Sequence, residues 1–445
     1  MNCARFFSPA CGWMSFCRPA LFLILILASF GARTAQSQQP KGGASHLDSV
    51  EISGSKKFSS QQIAAAIGLR AGNIITREDL QGAADKLAAL GLFSNVQYHF
   101  TTVQSGVRAI YEVSDAPAVA VTFDNFPWFS DDELTAALQH AVLLFDGSAP
   151  QGGAILNTMA ATLENLVQAR GVLGTVSHAL ISFPLGGQRM QFRVEGTEIT
   201  VKGVEFSDAL ATNDHAVQQS AAALIGQPYS RSAVELFEFE QVRPVYLTHA
   251  FLHVQLGRPG ARIPSEGAQP GSTAVVVMVS IAPGPAFKWG SIAWAGNSVV
   301  SSGELDAIVP LKPGDIADGN KIAALWDGVQ SLYGQRGYLD VKLDPQTQFE
   351  DQAGRVMYKV TITEGPQYRM GNLVLSGLSV DGEKRIHAAW SIPANAVFNV
   401  KTYQDFLDDG IKKAFAGTPV HYEKIGRFLQ ENPGTTKVDV LLDFQ

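Results

Sequence analysis

The sequence predicts an α+β protein, built as a tandem array of five small units that each have the element order β-α-α-β-β. One pattern recurs at a near-constant period, helix-start signals recur within the copies, and alternating apolar runs close each copy. The pattern is anchored by a small residue two positions before a large apolar residue. This anchor occurs at Gly91-Leu92-Phe93, Gly171-Val172-Leu173, Ala250-Phe251-Leu252 and Gly337-Tyr338-Leu339, and Gly417 marks a degenerate fifth copy. Successive anchors start 80, 79, 87 and 80 residues apart, which indicates a repeat protein.

Unit 1 shows every element of the pattern. Residues 50–52 alternate apolar and polar side chains, as a half-buried strand does, and Ser59 can cap a first helix. Thr76 and Asp79 form the start signal of a second helix, which Gly91 ends. Two further alternating runs predict strands joined by a turn, at residues 96–100 and 107–113. Each unit is therefore predicted to be a three-stranded sheet with two helices on one face.

The other units keep this plan. They open with strand-like runs at residues 121–123, 201–204, 292–294 and 373–375 and close with runs at 192–194, 275–279, 356–360 and 438–442. Helix-start signals follow at Ser130, Ser232 and Ser301. The joints are short and contain proline or glycine, which predicts a semi-rigid string.

An export segment precedes the units. Arg5 and Arg18 stand before a short apolar run at residues 20–30, as in a secretory signal, and the three cysteines all lie before this run. We predict a signal peptide at 1–35, a flexible lead-in at 36–45, and units 1 to 5 at 46–116, 117–196, 197–285, 286–366 and 367–445. Retention of the signal as a membrane anchor is the minority interpretation.

The composition argues against several classes of function. The net charge is -7 and charged residues make up 17% of the chain, which argues against a nucleic-acid partner. His249 and His253 have metal-like spacing, and residues 131–133 form an acidic cluster, but surface histidines and a favourable first helical turn explain them better. No nucleophile or nucleotide signature is found, so we predict no catalytic residue, no metal and no cofactor.

The order and period of these motifs resemble POTRA domains, the polypeptide-transport-associated repeats. Unit 1 carries Gly54, Phe58, Ile63, Gly72, Leu80, Leu87, Gly91-Leu92-Phe93, Val96 and Tyr111-Glu112-Val113. Unit 4 carries Gly296-Asn297, Leu311-Lys312-Pro313-Gly314-Asp315, Gly337-Tyr338-Leu339 and Glu364-Gly365-Pro366. The resemblance covers roughly residues 46–445 and is weakest in units 2 and 5.

The nearest family is the BamA type of outer-membrane barrel-assembly protein, whose periplasmic POTRA row precedes a transmembrane β-barrel. No residues remain for a barrel after the fifth unit, so the sequence predicts the periplasmic portion alone. The resemblance implies an exported, periplasmic scaffold associated with the outer membrane, with only indirect membrane contact. Its expected partners are outer-membrane protein precursors, a barrel-assembly complex or other envelope proteins.

The resemblance also implies a binding mode. In POTRA-like sheets the strand after the second helix lies at an edge, where an extended peptide can add by β-augmentation. The candidate edges are residues 95–101, 174–182, 252–256, 338–343 and 420–425, with Val96, Tyr98, Val176, His253, Val254, Val341 and Val420 as the candidate residues. Two alternatives remain: a cell-division or two-partner-secretion accessory protein with the same domains, and a periplasmic enzyme with a site between units.

Overall fold

The computed structural model describes residues 43–183, 186–265, 268–269, 272–418 and 422–445. The predicted signal peptide, most of the lead-in and Val420 lie outside these residues. The described chain has mixed α and β structure, so the α+β class is confirmed.

Units 1 and 2 have the same element order. Unit 1 contains β1 (Ser45–Ser53), α1 (Ser60–Ile67), β2 (Ile74–Ile75), α2 (Arg77–Leu90), β3 (Phe93–Val103) and β4 (Gly106–Asp115). Unit 2 contains β5 (Ala118–Phe123), α3 (Asp131–Ala141), β6 (Ser148–Pro150), α4 (Ala154–Ala169), β7 (Thr175–Ser182) and β8 (Gln188–Glu195).

Unit 3 is the least regular. It contains β9 (Glu198–Phe206), α5 (Ala209–Asn213), α6 (His215–Ala222), α7 (Arg231–Phe237), α8 (Arg243–Thr248), β10 (Gln255–Leu256), β11 (Gly260–Arg262), β12 (Ala268–Gln269), β13 (Ser272–Val279) and β14 (Ile281–Ala282). A π-helical turn, Glu238–Val242, joins α7 to α8 in one continuous helix.

Units 4 and 5 return to the simpler plan. Unit 4 contains β15 (Lys288–Ala295), α9 (Ser302–Ala307), α10 (Gly319–Gly334), β16 (Lys342–Glu350) and β17 (Arg355–Thr363). Unit 5 contains β18 (Arg369–Ser376), α11 (Val380–Ala389), α12 (Val400–Asp405), α13 (Ile411–Phe415), β19 (Ile425–Asn432) and β20 (Lys437–Phe444), with a π-helical turn, Phe406–Gly410, between α12 and α13.

One strand arrangement recurs in the five units. The first strand pairs in parallel with the last strand, and the strand after the helices pairs antiparallel with the other side of the last strand. In unit 1, Ile52 and Tyr98 thus flank Tyr111 on β4. Tyr111 is fully buried and donates its hydroxyl to the backbone oxygen of Leu80 on α2 at 2.9 Å, which ties the sheet to the helices.

The prediction of three strands in every unit is wrong for units 1 to 3. In units 1 and 2 the loop between the helices adds a short strand, β2 or β6, beside the first strand. This pairing satisfies backbone groups on the outer side of β1 and β5. In unit 3 the strand after the helices is broken into β10, β11 and β12, which pair with β14 and β13.

All but one of the predicted helix starts are confirmed. Thr76, Ser130 and Ser301 each form the expected capping box. The prediction at Ser232 is wrong, because α7 starts at Arg231 and its cap is Ser230. The backbone N–H of Ser232 instead donates to a carboxylate of unit 2, which sequence spacing does not reveal.

A glycine ends the first strand in units 1, 4 and 5. Gly54, Gly296 and Gly377 have φ values of 99°, 81° and 81°. A Cβ atom at each position would lie well inside van der Waals distance of a backbone carbonyl oxygen on the last strand. These glycines therefore permit the close parallel approach of the first and last strands.

Gly296→Ala should destabilise unit 4 by about 2 kcal/mol or more, because the new methyl group meets the Ile362 carbonyl and φ is positive. Gly303→Ala is the control, since Gly303 lies on α9 with open space around it. Hydrogen–deuterium exchange of β15 and β17 measures the effect. Equal protection in the two variants would contradict the steric argument.

Candidate functional site

The open edges of the sheets form the candidate site. In units 1, 2, 4 and 5 the strand after the helices, β3, β7, β16 or β19, pairs on one side only among the described residues. Alternate backbone N–H and C=O groups of an edge strand point away from the sheet. These groups can accept a further strand.

Val96 and Tyr98 lie on β3, as predicted, but their side chains face the helices. Both are half-buried, and the Tyr98 ring stacks on Tyr111 with 5.8 Å between the ring centroids. The Tyr98 hydroxyl donates to the side chain of Gln81 on α2 at 3.0 Å. These side chains hold the edge strand in place, and its backbone is the surface that a peptide could contact.

Val176 lies on β7, and its backbone shows which groups of this strand face outward. Its N–H donates to Oε2 of Glu164 on α4 at 3.0 Å. This N–H therefore faces away from β8, and by strand alternation so do the N–H groups of His178 and Leu180. The first outward donor of β7 already has a partner, which leaves the later ones as the open part of this edge.

The prediction that His253 and Val254 lie on an edge strand is wrong. They form a turn before β10. The His253 ring packs against Phe349 and Phe287 of unit 4, with centroid distances of 4.1 and 5.1 Å. These aromatic contacts hold the turn against unit 4, and Ala250 adopts a positive φ of 66° just before it.

Of the two remaining candidate residues, one lies just outside an edge strand and the other cannot be placed. Val341 directly precedes β16, and Val420 is outside the described residues. The β16 edge itself contains Pro345, which pairs with Val360. Proline has no N–H, so this edge lacks one donor for an added strand.

The edges differ in continuity. β3, β7 and β19 have 11, 8 and 8 residues and no proline. The unit 3 edge is broken after Leu256, where Gly257, Arg258 and Pro259 separate β10 from β11. Continuous edges suit an added strand best, so units 1, 2 and 5 offer the better surfaces.

A buried carboxylate fixes unit 3 against unit 2. Asp124 follows β5 and is 1% exposed. Its Oδ1 accepts from Ser230 Oγ at 3.0 Å and from the backbone N–H of Ser232 at 2.9 Å. Its Oδ2 accepts from Arg193 Nη1 at 3.0 Å. The start of α7 is thereby attached to the outer face of the unit 2 sheet.

The acidic cluster at the start of α3 belongs to the same interface. Asp131 accepts from Arg231 at 2.7 Å and also pairs with Arg258, both in unit 3. The sequence interpretation of this cluster as a favourable first helical turn missed these contacts. The absence of a glycine after β5, where Asp124 stands, is the sequence signal that could have indicated them.

Within the described residues we find neither a cluster of metal ligands nor a helix that could span a membrane. His249 contacts the backbone oxygen of Val245 through Nδ1 at 2.8 Å. In the described ranges no three His, Cys, Asp or Glu side chains converge as metal ligands. Over the same ranges, every helix is too short or too polar to cross a membrane.

Two of the five units match a known protein family. Residues 46–124 and 287–365 match the POTRA family, described as a surface antigen variable number repeat. The matches fall on units 1 and 4, which carry most of the motif residues. They confirm the POTRA resemblance for these two segments.

A protein of known description is similar to part of this chain. A protein of Treponema pallidum (strain Nichols), described as an outer membrane protein assembly factor, is 20% identical over 231 residues. The alignment covers 50% of this chain and 27% of that relative, so the chain spans about a quarter of its length.

Two solved structures are similar to part of this chain. POTRA3-5 of Haemophilus influenzae BamA is 16% identical with a TM-score of 0.44, covering 56% of this chain and 96% of that one. The N-terminal domain of Omp85 from Thermosynechococcus elongatus is 17% identical with a TM-score of 0.22, covering 53% and 97%. Because both TM-scores are below 0.5, the assignment of the fold rests on the chain's own strand order and on the family match.

Asp124→Ala should loosen the contact between units 2 and 3, because Ser230 Oγ, the Ser232 N–H and Arg193 lose their shared acceptor, at a cost of roughly 2 kcal/mol. Asp132→Ala is the control, since Asp132 is exposed beside the same interface. Spin labels at His140 and Lys202 report the distance between the units. The distribution should broaden in the first variant only, and equal distributions would contradict the assignment.

Proposed function

We propose that this chain is an exported binding scaffold for outer-membrane protein assembly or polypeptide transport. It holds unfolded polypeptides, or extended segments of partner proteins, by β-augmentation. The open edge strand that recurs in the sheets is the observation that carries the proposal. The POTRA matches and the outer-membrane assembly relative support it.

We extend the POTRA assignment to all five units. Units 2, 3 and 5 share the parallel pairing of first and last strands with units 1 and 4. They also share the antiparallel strand on the other side of the last strand. The array is then five periplasmic POTRA-type units, held in series by contacts such as that of Asp124.

Main-chain hydrogen bonds supply the affinity of β-augmentation and ask little of the bound sequence. That property suits a scaffold that receives many clients. Apolar side chains on the edges, Phe100, Leu180 and Phe428, are partly exposed and can contact side chains of the added strand. We assign the binding role to β3, β7 and β19, and a spacing role to units 3 and 4.

We also propose that the chain is not an enzyme. The cleft between units 2 and 3 contains Glu238, but its lining has no serine, threonine, cysteine or histidine, and its other carboxylate, Glu235, is held in an ion pair with Arg189. A pull-down from envelope extract separates the remaining alternatives. We expect the pull-down to recover barrel-assembly proteins, whereas recovery of septal or two-partner-secretion proteins would favour the accessory role.

Cysteine cross-linking tests where a client binds. Cys3, Cys11 and Cys17 are replaced by serine, and one cysteine is introduced at His99 on β3 or at Gln430 on β19. A cysteine-bearing peptide of alternating apolar and polar residues should form a disulfide about tenfold faster there than at exposed helix positions, because edge binding raises its local concentration.

The matched helix positions are Lys86 on α2 and Lys412 on α13, in the same units. Mass spectrometry of the quenched mixtures gives the rates. Equal rates at edge and helix positions would rule out edge binding in that unit.

Leu180→Pro should weaken peptide binding to unit 2 by about tenfold, because it removes an outward N–H without breaking the ladder to β8. Leu180→Ala keeps this N–H and is the control for the lost side chain. Fluorescence anisotropy measures the affinity, and near-equal Tm values verify folding. Unchanged affinity in the proline variant would contradict β-augmentation at β7.

A further inference from the structure

A cleft of about 550 Å³ lies between units 2 and 3. Phe183, the residue after β7, lines it from unit 2, and Leu256 on β10 lines it from unit 3. The cleft thus lies where the open edge of unit 2 ends. A chain added to β7 would meet it at that end.

Glu238 is the buried polar group of this cleft. It is 3% exposed, and its Oε1 has no hydrogen-bond partner among the described residues. Burial, with a smaller contribution from the nearby Glu235 carboxylate, raises the pKa of Glu238 to about 8. The carboxyl group is therefore neutral at pH 7 and can donate one hydrogen bond.

The π-helical turn brings an arginine to the same side of the helix. The backbone N–H of Arg243 donates to the carbonyl of Glu238, five residues earlier. In a regular α-helix, side chains five residues apart point about 140° away from each other. The wider π turn reduces this angle, and both residues line the cleft.

The charges of the cleft leave an excess of positive charge. Arg189 pairs with Glu235 at 3.1 Å, and Arg258 pairs with Asp131. Arg243 has no ion pair with any residue that the structure describes. A neutral carboxylic acid and this arginine, which line the same cleft, are together complementary to an anion with oxygen acceptors.

We propose that this cleft is a carboxylate-binding site for polypeptides held at the β7 edge. The carboxylate accepts from Arg243 and from the protonated Glu238, and the apolar walls at Phe183 and Leu256 contact the adjoining side chains. An acidic side chain and a chain-terminal carboxylate share this chemistry. The inference rests on the proposed edge binding and adds a preference for acidic clients to it.

Three peptides of one alternating sequence test the site with the full chain. The first has a central glutamate and an amidated C-terminus, the second has glutamine instead, and the third has glutamine with a free C-terminus. The first or third should bind about tenfold more tightly than the second at pH 7. Tighter binding of the first identifies a side-chain carboxylate, and that of the third a terminal one.

Two variants locate the preference. Arg243→Gln should remove it, whereas Arg262→Gln should keep it, because Arg262 pairs with Glu205 at 2.7 Å outside the cleft. As pH rises through about 8, Glu238 ionises beside Glu235 and the wild-type preference should fall. Glu238→Gln should keep the preference at about pH 9, since glutamine stays neutral.

A small probe separates this inference from edge binding. Phenylacetate, titrated calorimetrically into the chain and into Arg243→Gln, should bind the former only, with phenylacetamide as the neutral control. Equal binding of all three peptides, or equal binding of phenylacetate to both proteins, would overturn the carboxylate site. If phenylacetate binds and no peptide does, the cleft assignment stands and β-augmentation fails.

Discussion

The parallel pairing of the first strand with the last strand is the constraint on which each unit depends. It puts the last strand at the centre of the sheet, as β4 is in unit 1. The preceding strand is joined to the last by a short turn and can pair only on its other side. An edge strand therefore follows from the topology, and the binding proposed for that edge needs no further structural element.

The residue at this close approach also takes part in the joint between units 2 and 3. In units 1, 4 and 5 a glycine follows the first strand, because a side chain would meet the last strand. In unit 2 the same position is Asp124, whose backbone N–H donates to Phe192 on β8 at 2.9 Å. Its carboxylate holds the start of α7. A change at one repeat position thus converts a strand end into an attachment point for the next unit.

Sequence patterns predicted the parts of the structure that depend on local contacts. Most of the strands, most helix starts and the helix end at Gly91 depend on neighbouring residues or on packing within a unit, and alternation or capping motifs reveal them. His253 was misplaced because its partners, Phe287 and Phe349, belong to unit 4. The longer spacing of 87 residues after Ala250 reflects the broken edge of unit 3 and was its one visible sign. Glu238 gave no signal, since a glutamate within a helix usually faces solvent.

The open edges have one more consequence, which concerns the concentration of the chain itself. Backbone groups that are open to an extended peptide are equally open to the same edge of another molecule, so the topology of β3, β7 and β19 carries a hazard of oligomerisation. Pro345 on β16 and the break at Pro259 reduce this hazard in the middle of the array. Under the proposed function, a bound client would also protect the chain in a crowded compartment, because an occupied edge cannot pair with a second copy.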